Sequence, residues 1–165
     1  MSAPVPSEPH DIRLIDAHDT AFVPAIGMLF TEYGQSLGFS LCFQNFDQEL
    51  ATLPGRYAPP DGCLLMCVVD NTPAGCVAYR SLGADICEMK RLFVRPEYRG
   101  FKIGRLLTEE LIHRARAKGY TAMRLDTISP QMDTAINLYR SLGFTDIPPY
   151  NAHPIAGSVW MEKKL

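Results

Sequence analysis

The sequence predicts an α/β (α+β) fold: a mixed, mostly antiparallel central sheet of six to seven strands with about four helices on both faces. Three observations carry this expectation. Residues 63–94 hold three apolar runs, CLLMCVVD, PAGCVAYRSL and ICEMKRLFV, set apart by turn chemistry at DNTPAG and GAD, which is the spacing of an antiparallel meander. From Gly104 the apolar period changes to three and four, returns to a strand, and turns helical again, the alternation that builds a sheet crossed by helices. The chain has 165 residues, 47% of them apolar, enough for one domain that buries roughly two-thirds of its unfolded surface without disulfides.

The elements follow in order. Residues 1–10, rich in proline, read as a loose tail, and 11–165 as a single domain without internal repeat or boundary. IRLI begins the sheet. Asp19 is placed to cap a helix running towards Gly38, with Phe22, Ile26, Leu29, Phe30 and Tyr33 on one apolar face. NFDQELATLPG reads as a short second helix with Asp47 near its start, and RYAPPDG as an irregular surface loop. After the meander, Leu106, Leu107, Leu111, Ile112 and Ala115 mark a long helix that Lys118 and Gly119 end. YTAMRLDT is a fifth strand. A helix with Ala135, Leu138, Tyr139 and Leu142 on one face runs from Pro130 to Gly143, and FTDI and GSVWMEKKL are two last strands around the loop PPYNAHPIAG.

Composition narrows the function. Sixteen basic against 18 acidic residues give a net charge of −2, unlike a general nucleic-acid binder or an acidic disordered tail. Cys42, Cys63, Cys67, Cys76 and Cys87 sit in apolar runs without a CxxC pair, so buried thiols in a reducing compartment are expected, with no disulfide framework and no metal site. MSAPVPSEPHDIRL lacks the basic end and apolar core of a secretory leader, and no run approaches the roughly 20 apolar residues of a membrane span. A cytoplasmic protein with no membrane and no nucleic-acid partner is expected.

The stretch RLFVRPEYRGFKIGRLL carries the chemistry. A strand gives way to a helix through a loop holding Arg99, Gly100, Phe101, Lys102, Ile103, Gly104 and Arg105. A helix N-terminus offers unpaired N–H groups and partial positive charge, and glycines allow close approach of a phosphate. Neither the Walker loop nor the GxGxxG fingerprint is present. On this segment alone, a simple turn with solvated cations fits equally well. Residues 90–105 nevertheless carry a net +5, leaving −7 for the rest, so one small polyanion gripped at one loop is compatible with the balanced total.

With its flanks, EMKRLFVRPEY before the loop and NLYRSLGF about 35 residues after it, the segment resembles the GNAT superfamily of acetyl-CoA-dependent N-acetyltransferases, and the resemblance runs from IRLI to VWMEKKL. It implies a GNAT-like acyl-CoA N-acyltransferase fold in which residues 99–104 bind the coenzyme A pyrophosphate. Lys102 stands where the family pattern has its first glycine. Leu92, Phe93 and Val94 would lend backbone groups to the pantetheine arm like an extra strand, and an N–H of the same strand would polarise the thioester carbonyl. Glu88 would be the general base, directly or through water, for a primary amine of a small-molecule or peptide acceptor, and burial could raise its pKa towards neutrality. An exposed strand carboxylate paired with Lys90 or Arg80 is the alternative. Tyr139 would protonate the departing sulfur, though it is equally placed to be a core aromatic. Met132 replaces an Asn that many members carry about seven residues before this Tyr. Tyr33, Phe43, Arg91, Arg124, Asp126, Asn151 and His153 receive no role.

The leading expectation is an acetyltransferase using acetyl-CoA and no metal, working by direct attack in a ternary complex. A sensor of the same fold that holds coenzyme A or another phosphate ligand without turnover is the runner-up, and a nucleic-acid or ribosome-associated module resting on the basic loop alone is the third reading. A homodimer is plausible if C-terminal edge strands need cover.

Overall fold

The computed structural model describes residues 8–41, 45–129, 131–152 and 155–165. Seven strands form one sheet: β1 (Ile12–Asp16), β2 (Cys63–Val69), β3 (Thr72–Gly83), β4 (Ile86–Val94), β5 (Ala122–Ile128), β6 (Thr145–Ile147) and β7 (Ser158–Lys164). The helices are α1 (Val23–Ser36), α2 (Phe46–Ala51), α3 (Ile103–Lys118) and α4 (Asp133–Ser141). The strands lie in the order β1-β2-β3-β4-β5-β7-β6, and among the described residues only β4 and β5 pair in parallel. The last strand therefore inserts between β5 and β6. The C-terminal edge is the three-residue β6 rather than β7, so less unpaired backbone calls for cover by a second copy than the sequence suggested.

Strand β2 shows why the sheet needs helices on both faces: all seven of its residues are buried. By the two-residue period, Cys63, Leu65, Cys67 and Val69 join the core under α3, with Leu107, Leu111 and Ala115. Leu64, Met66 and Val68 join the opposite core under α1, with Ile26, Leu29 and Phe30. Cys63, Cys67, Cys76 and Cys87 are buried free thiols. Burial pushes the thiols of Cys67, Cys63 and Cys87 up to about 11, 12 and 12, which keeps them protonated and unreactive. Cys42 lies outside the described residues.

The helix ends follow local chemistry. The Asp19 carboxylate accepts the Ala21 N–H at 3.0 Å and caps a short 3-10 turn that leads into α1. Gly119, at φ 104°, closes α3 in the left-handed conformation.

Three expectations need correction. Leu106 points outward, 39% exposed, because α3 starts at Ile103 and its core stripe runs through Ile103, Leu107, Leu111 and Ala115. On α4 the buried pair is Ile136 and Tyr139, while Ala135, Leu138 and Leu142 are half-buried. RYAPPDG is not purely surface loop: Gly55–Tyr57 form a 3-10 turn and Tyr57 is buried, its hydroxyl donating to Glu49 Oε1 at 2.8 Å.

Candidate active site

Where the parallel pairing stops, a cleft opens. Strands β4 and β5 are in register only from Ile86–Ala122 to Glu88–Arg124, while β5 stays paired to β7 along its whole length. From Met89 onward the β5-facing edge of β4 has no strand partner. A bulge in β4 adds to the divergence: Cys76 faces Phe93 and Ala78 faces Lys90, so Val77 spans two β4 residues, with Arg91 in the left-handed region at φ 63°. The cleft, with its open mouth, holds about 520 Å³ free of protein atoms. Lys90, Arg91 and Leu92 line it from β4, Leu125, Asp126 and Thr127 from β5, Tyr139 from α4 and Tyr33 from α1.

Tyr139 is 4% exposed, with its ring against Phe144, yet it lines the cleft, and its hydroxyl has no hydrogen bond among the described residues. Core packing and a donor facing the cleft are thus combined in one side chain. Burial first, then Tyr33 and the Asp126 charge, push its pKa up, so the phenol holds its proton.

Glu88 is 1% exposed, so the exposed strand carboxylate is not what the fold builds. Its two oxygens are divided: Oε1 accepts Arg80 Nε at 2.9 Å and Oε2 accepts the Tyr150 hydroxyl at 2.7 Å. Lys90 Nζ lies 3.9 Å from Oε1. Both oxygens of Glu88 are thus engaged, one of them by Tyr150, a residue that the sequence leaves inside the loop PPYNAHPIAG without a signal of its own. Burial, then the Glu88 charge and hydrogen bond, raise the Tyr150 pKa. Next to it, Asn151 donates to Asp126 Oδ2 at 2.9 Å while its own Oδ1 accepts Trp160 Nε1 at 2.7 Å. Arg124 pairs with Glu162 at 2.7 Å beneath the Tyr150 ring.

Arg91 is buried and held by Glu49, Nε to Oε2 at 2.7 Å and Nη2 to Oε1 at 3.1 Å, so its part is to fix α2 against the bulge. Burial, with Arg91 alongside, pushes the Lys90 ammonium down to about 8 against the pull of Glu88 and Asp126. Phe43 and His153 lie outside the described residues.

On the opposite face lies the loop after β4, a candidate anion cradle at the start of α3. Gly100 has φ 106° and Lys102 φ 60°, so the lysine adopts the left-handed backbone that a glycine would take there. By helix geometry the first-turn N–H groups of Ile103, Gly104 and Arg105 have no acceptor within α3. A Cβ at Gly100 would meet nothing within 4 Å, and one at Gly104 only ordinary contacts at 3.7 and 3.9 Å, so both glycines leave space that a ligand can use. This fits a pyrophosphate.

The charge excess of residues 90–105 divides between two faces. Lys90 and Arg91 serve the cleft, and Arg95 is tied to Glu32 at 3.0 Å. Arg99, Lys102 and Arg105 remain on the cradle, where Arg99 Nε donates to Val94 O at 3.3 Å and Arg105 bonds Glu109 at 3.2 Å and Ser141 at 2.7 Å. Leu92 and Val94 turn towards the α3 core and Phe93 towards α1. Met132 precedes α4 and lines the cleft, and its sulfur accepts the Thr127 hydroxyl at 3.4 Å.

Among the described residues no helix is long and apolar enough to cross a membrane, and no group of three His, Cys, Asp or Glu side chains is placed to hold a metal.

The acetyltransferase (GNAT) family model matches residues 28–144. An uncharacterized N-acetyltransferase of Schizosaccharomyces pombe is 44% identical over 140 residues, covering 84% of this chain and 85% of its own. The IAA acetyltransferase of Azospirillum brasilense is 40% identical over 153 residues, covering 90% and 96%. Among solved structures, an acetyltransferase from Salmonella typhimurium with its cofactor acetyl-CoA superposes with a TM-score of 0.69 at 21% identity, covering 93% of each chain. Split sheet, cradle and relatives agree: the chain belongs to the GNAT family of acetyltransferases, enzymes that draw the acetyl group from acetyl-CoA and pass it to amine acceptors.

Proposed function

We propose that this protein is a cytoplasmic N-acetyltransferase that moves the acetyl group of acetyl-CoA to a primary amine by direct attack in a ternary complex. The observation that carries this reading is the split between β4 and β5, which Tyr139 lines and which opens directly after the last paired position, Glu88–Arg124. A sensor that only held coenzyme A would need neither the protonated phenol nor a carboxylate connected to the acceptor side.

In this reading the Gly100–Arg105 loop holds the pyrophosphate through backbone N–H groups, and Leu92, Phe93 and Val94 offer the open edge of β4 to the pantetheine amides. A backbone N–H beside the bulge takes the charge that develops on the thioester oxygen. The acceptor ammonium gives one proton to the Tyr150 oxygen as the Tyr150 hydroxyl proton moves to Glu88 Oε2, so Glu88 is the base through one intermediary. The neutral amine then attacks, the C–N bond forms and the C–S bond breaks. Tyr139 gives its proton to the sulfur and is restored by the second proton lost from nitrogen.

The test is thiol release from acetyl-CoA with a panel of amines, followed for wild type, Glu88→Gln and Tyr139→Phe. The reading expects turnover with at least one amine and losses of about a hundredfold or more in each variant. Unchanged turnover in both variants would refute the roles given to these residues.

A further inference from the structure

Among the nine residues of β4, Arg91 alone has a positive φ, 63°. A side chain other than that of Gly, Asn or Asp rarely enters this left-handed region, and it stays there only where its surroundings fix it. The β3 register passes from Ala78–Lys90 to Cys76–Phe93, and the β5 register ends at Glu88–Arg124. Arg91 therefore falls where the ladder is interrupted on one side and has already ended on the other.

Three elements hold it. The guanidinium lies 5.7 Å from the ring of Tyr33 on α1 and 5.2 Å from the ring of Phe46 on α2, and Glu49, also on α2, accepts Nε at 2.7 Å and Nη2 at 3.1 Å. The Arg91 carbonyl accepts the Cys76 thiol of β3 at 3.3 Å. Side chain and main chain are thus pinned together, through a planar fork that meets a carboxylate in a fixed orientation. Glu49 is itself oriented, because its Oε1 accepts the Tyr57 hydroxyl at 2.8 Å. Stability alone does not call for such a pair: apolar side chains of similar volume commonly match or surpass a buried ion pair. Its place does call for one. Arg91 lines the cleft along the β4 edge that has lost its strand partner, where a displacement of about 1 Å can cost about a hundredfold in rate.

We propose that Glu49 is a positioning residue for acetyl transfer: through Arg91 it holds the β4 bulge, and with it the open edge of the split, in the shape that the reaction uses. This rests on the acetyltransferase reading above and adds to it a residue one side chain removed from the cleft. Glu49 acts by the geometry of its two bonds to Arg91, so a partner that keeps the charge and loses the fork does not replace it.

The experiment follows steady-state thiol release from acetyl-CoA with the amine of the panel above that wild type uses best, at a temperature where urea unfolding shows each variant folded. Arg91→Lys keeps a charge beside Glu49 and loses the fork. Glu49→Gln keeps the shape and gives up one of the two acceptor oxygens. Tyr57→Phe weakens the cluster and leaves both bonds between Glu49 and Arg91 in place. Arg91→Lys and Glu49→Gln are each expected to lose about tenfold or more in kcat, with the KM for acetyl-CoA within about threefold because the loop at the start of α3 is untouched. Tyr57→Phe is expected to stay within about twofold of the wild-type kcat. Where Arg91→Lys does not fold, the nearly isosteric Glu49→Gln carries the same outcomes. A wild-type kcat in either variant, a higher KM with kcat preserved, or an equal loss of kcat in Tyr57→Phe overturns the positioning role and leaves acetyl transfer standing. Absence of thiol release by wild type with every amine overturns both.

Discussion

Tyr150 donates its hydroxyl to Glu88 Oε2 at 2.7 Å, joining the loop between β6 and β7 to a β4 carboxylate 62 residues away. With Arg80 on the other oxygen, this bond leaves Glu88 enclosed, and in the proposed mechanism it brings the loop into the proton transfer.

Tyr150→Phe keeps the ring stacked over Arg124 and removes only the hydroxyl. The expected result is a fall in kcat of about ten- to a hundredfold, with the KM for acetyl-CoA unchanged. Steady-state kinetics at several pH values checks it. A KM effect with kcat preserved would mean that the hydroxyl binds rather than relays.

Lys90 gives a pH signature of stability. Its ammonium is pushed down to about 8 from 10.5 by burial and by Arg91, while Glu88 and Asp126 pull the other way and Arg80 adds to the lowering. Below pH 8 the lysine is charged in both states, and the fold bears the full cost of burying it. Between about 8 and 10.5 only the unfolded chain holds the proton, so the contribution of this lysine improves as pH rises. Lys90→Met should therefore be more stable than wild type at pH 7, by on the order of 2 kcal/mol, with the difference shrinking above pH 8. Urea unfolding across pH 6–11 measures it, and a difference that widens with pH contradicts the assignment.

Glu49 holds the buried Arg91 with two hydrogen bonds and accepts the Tyr57 hydroxyl. Glu49→Ala takes away this carboxylate and should cost about 3 kcal/mol in denaturant unfolding, far more than loss of the exposed Arg105–Glu109 pair.

Lys102 occupies a left-handed backbone position, at φ 60° and ψ 27°. Lys102→Gly should be neutral or more stable by up to about 1 kcal/mol, whereas Lys102→Val should lose about 1–2 kcal/mol. In both variants the KM for acetyl-CoA is expected to rise a few-fold, because one cation leaves the cradle.

Periodicity made the elements readable, because a strand such as CLLMCVV and a helix such as IGRLLTEELIHRARAK each bury a face set by their own spacing. The insertion of β7 between β5 and β6 was not readable, since strand order depends on contacts far apart in sequence. Helix phase was readable in part: Ala135 and Leu142 pack against the same core as Tyr139, while Ile136, more deeply buried than either, was missed. The site divides in the same way. The RGFKIG segment lies within one local stretch, where glycine, charge and the following helix left a simple turn equally open and the flanking segments, through the family resemblance, pointed to a phosphate cradle. The bulge at Arg91 has no composition signal, and the Tyr150–Glu88 and Asn151–Asp126 bonds join residues whose meeting only the folded sheet creates. Loop residues without a periodic pattern carried no such information.

In the proposed mechanism acetyl transfer runs through the split between β4 and β5, with Tyr139 protonating the sulfur. The most direct measurement is single-turnover thiol release from acetyl-CoA with a saturating amine, comparing wild type with Tyr139→Phe. The variant is expected to bind acetyl-CoA as wild type does and to release thiol at least about a hundredfold more slowly. Release at the wild-type rate by Tyr139→Phe would contradict it.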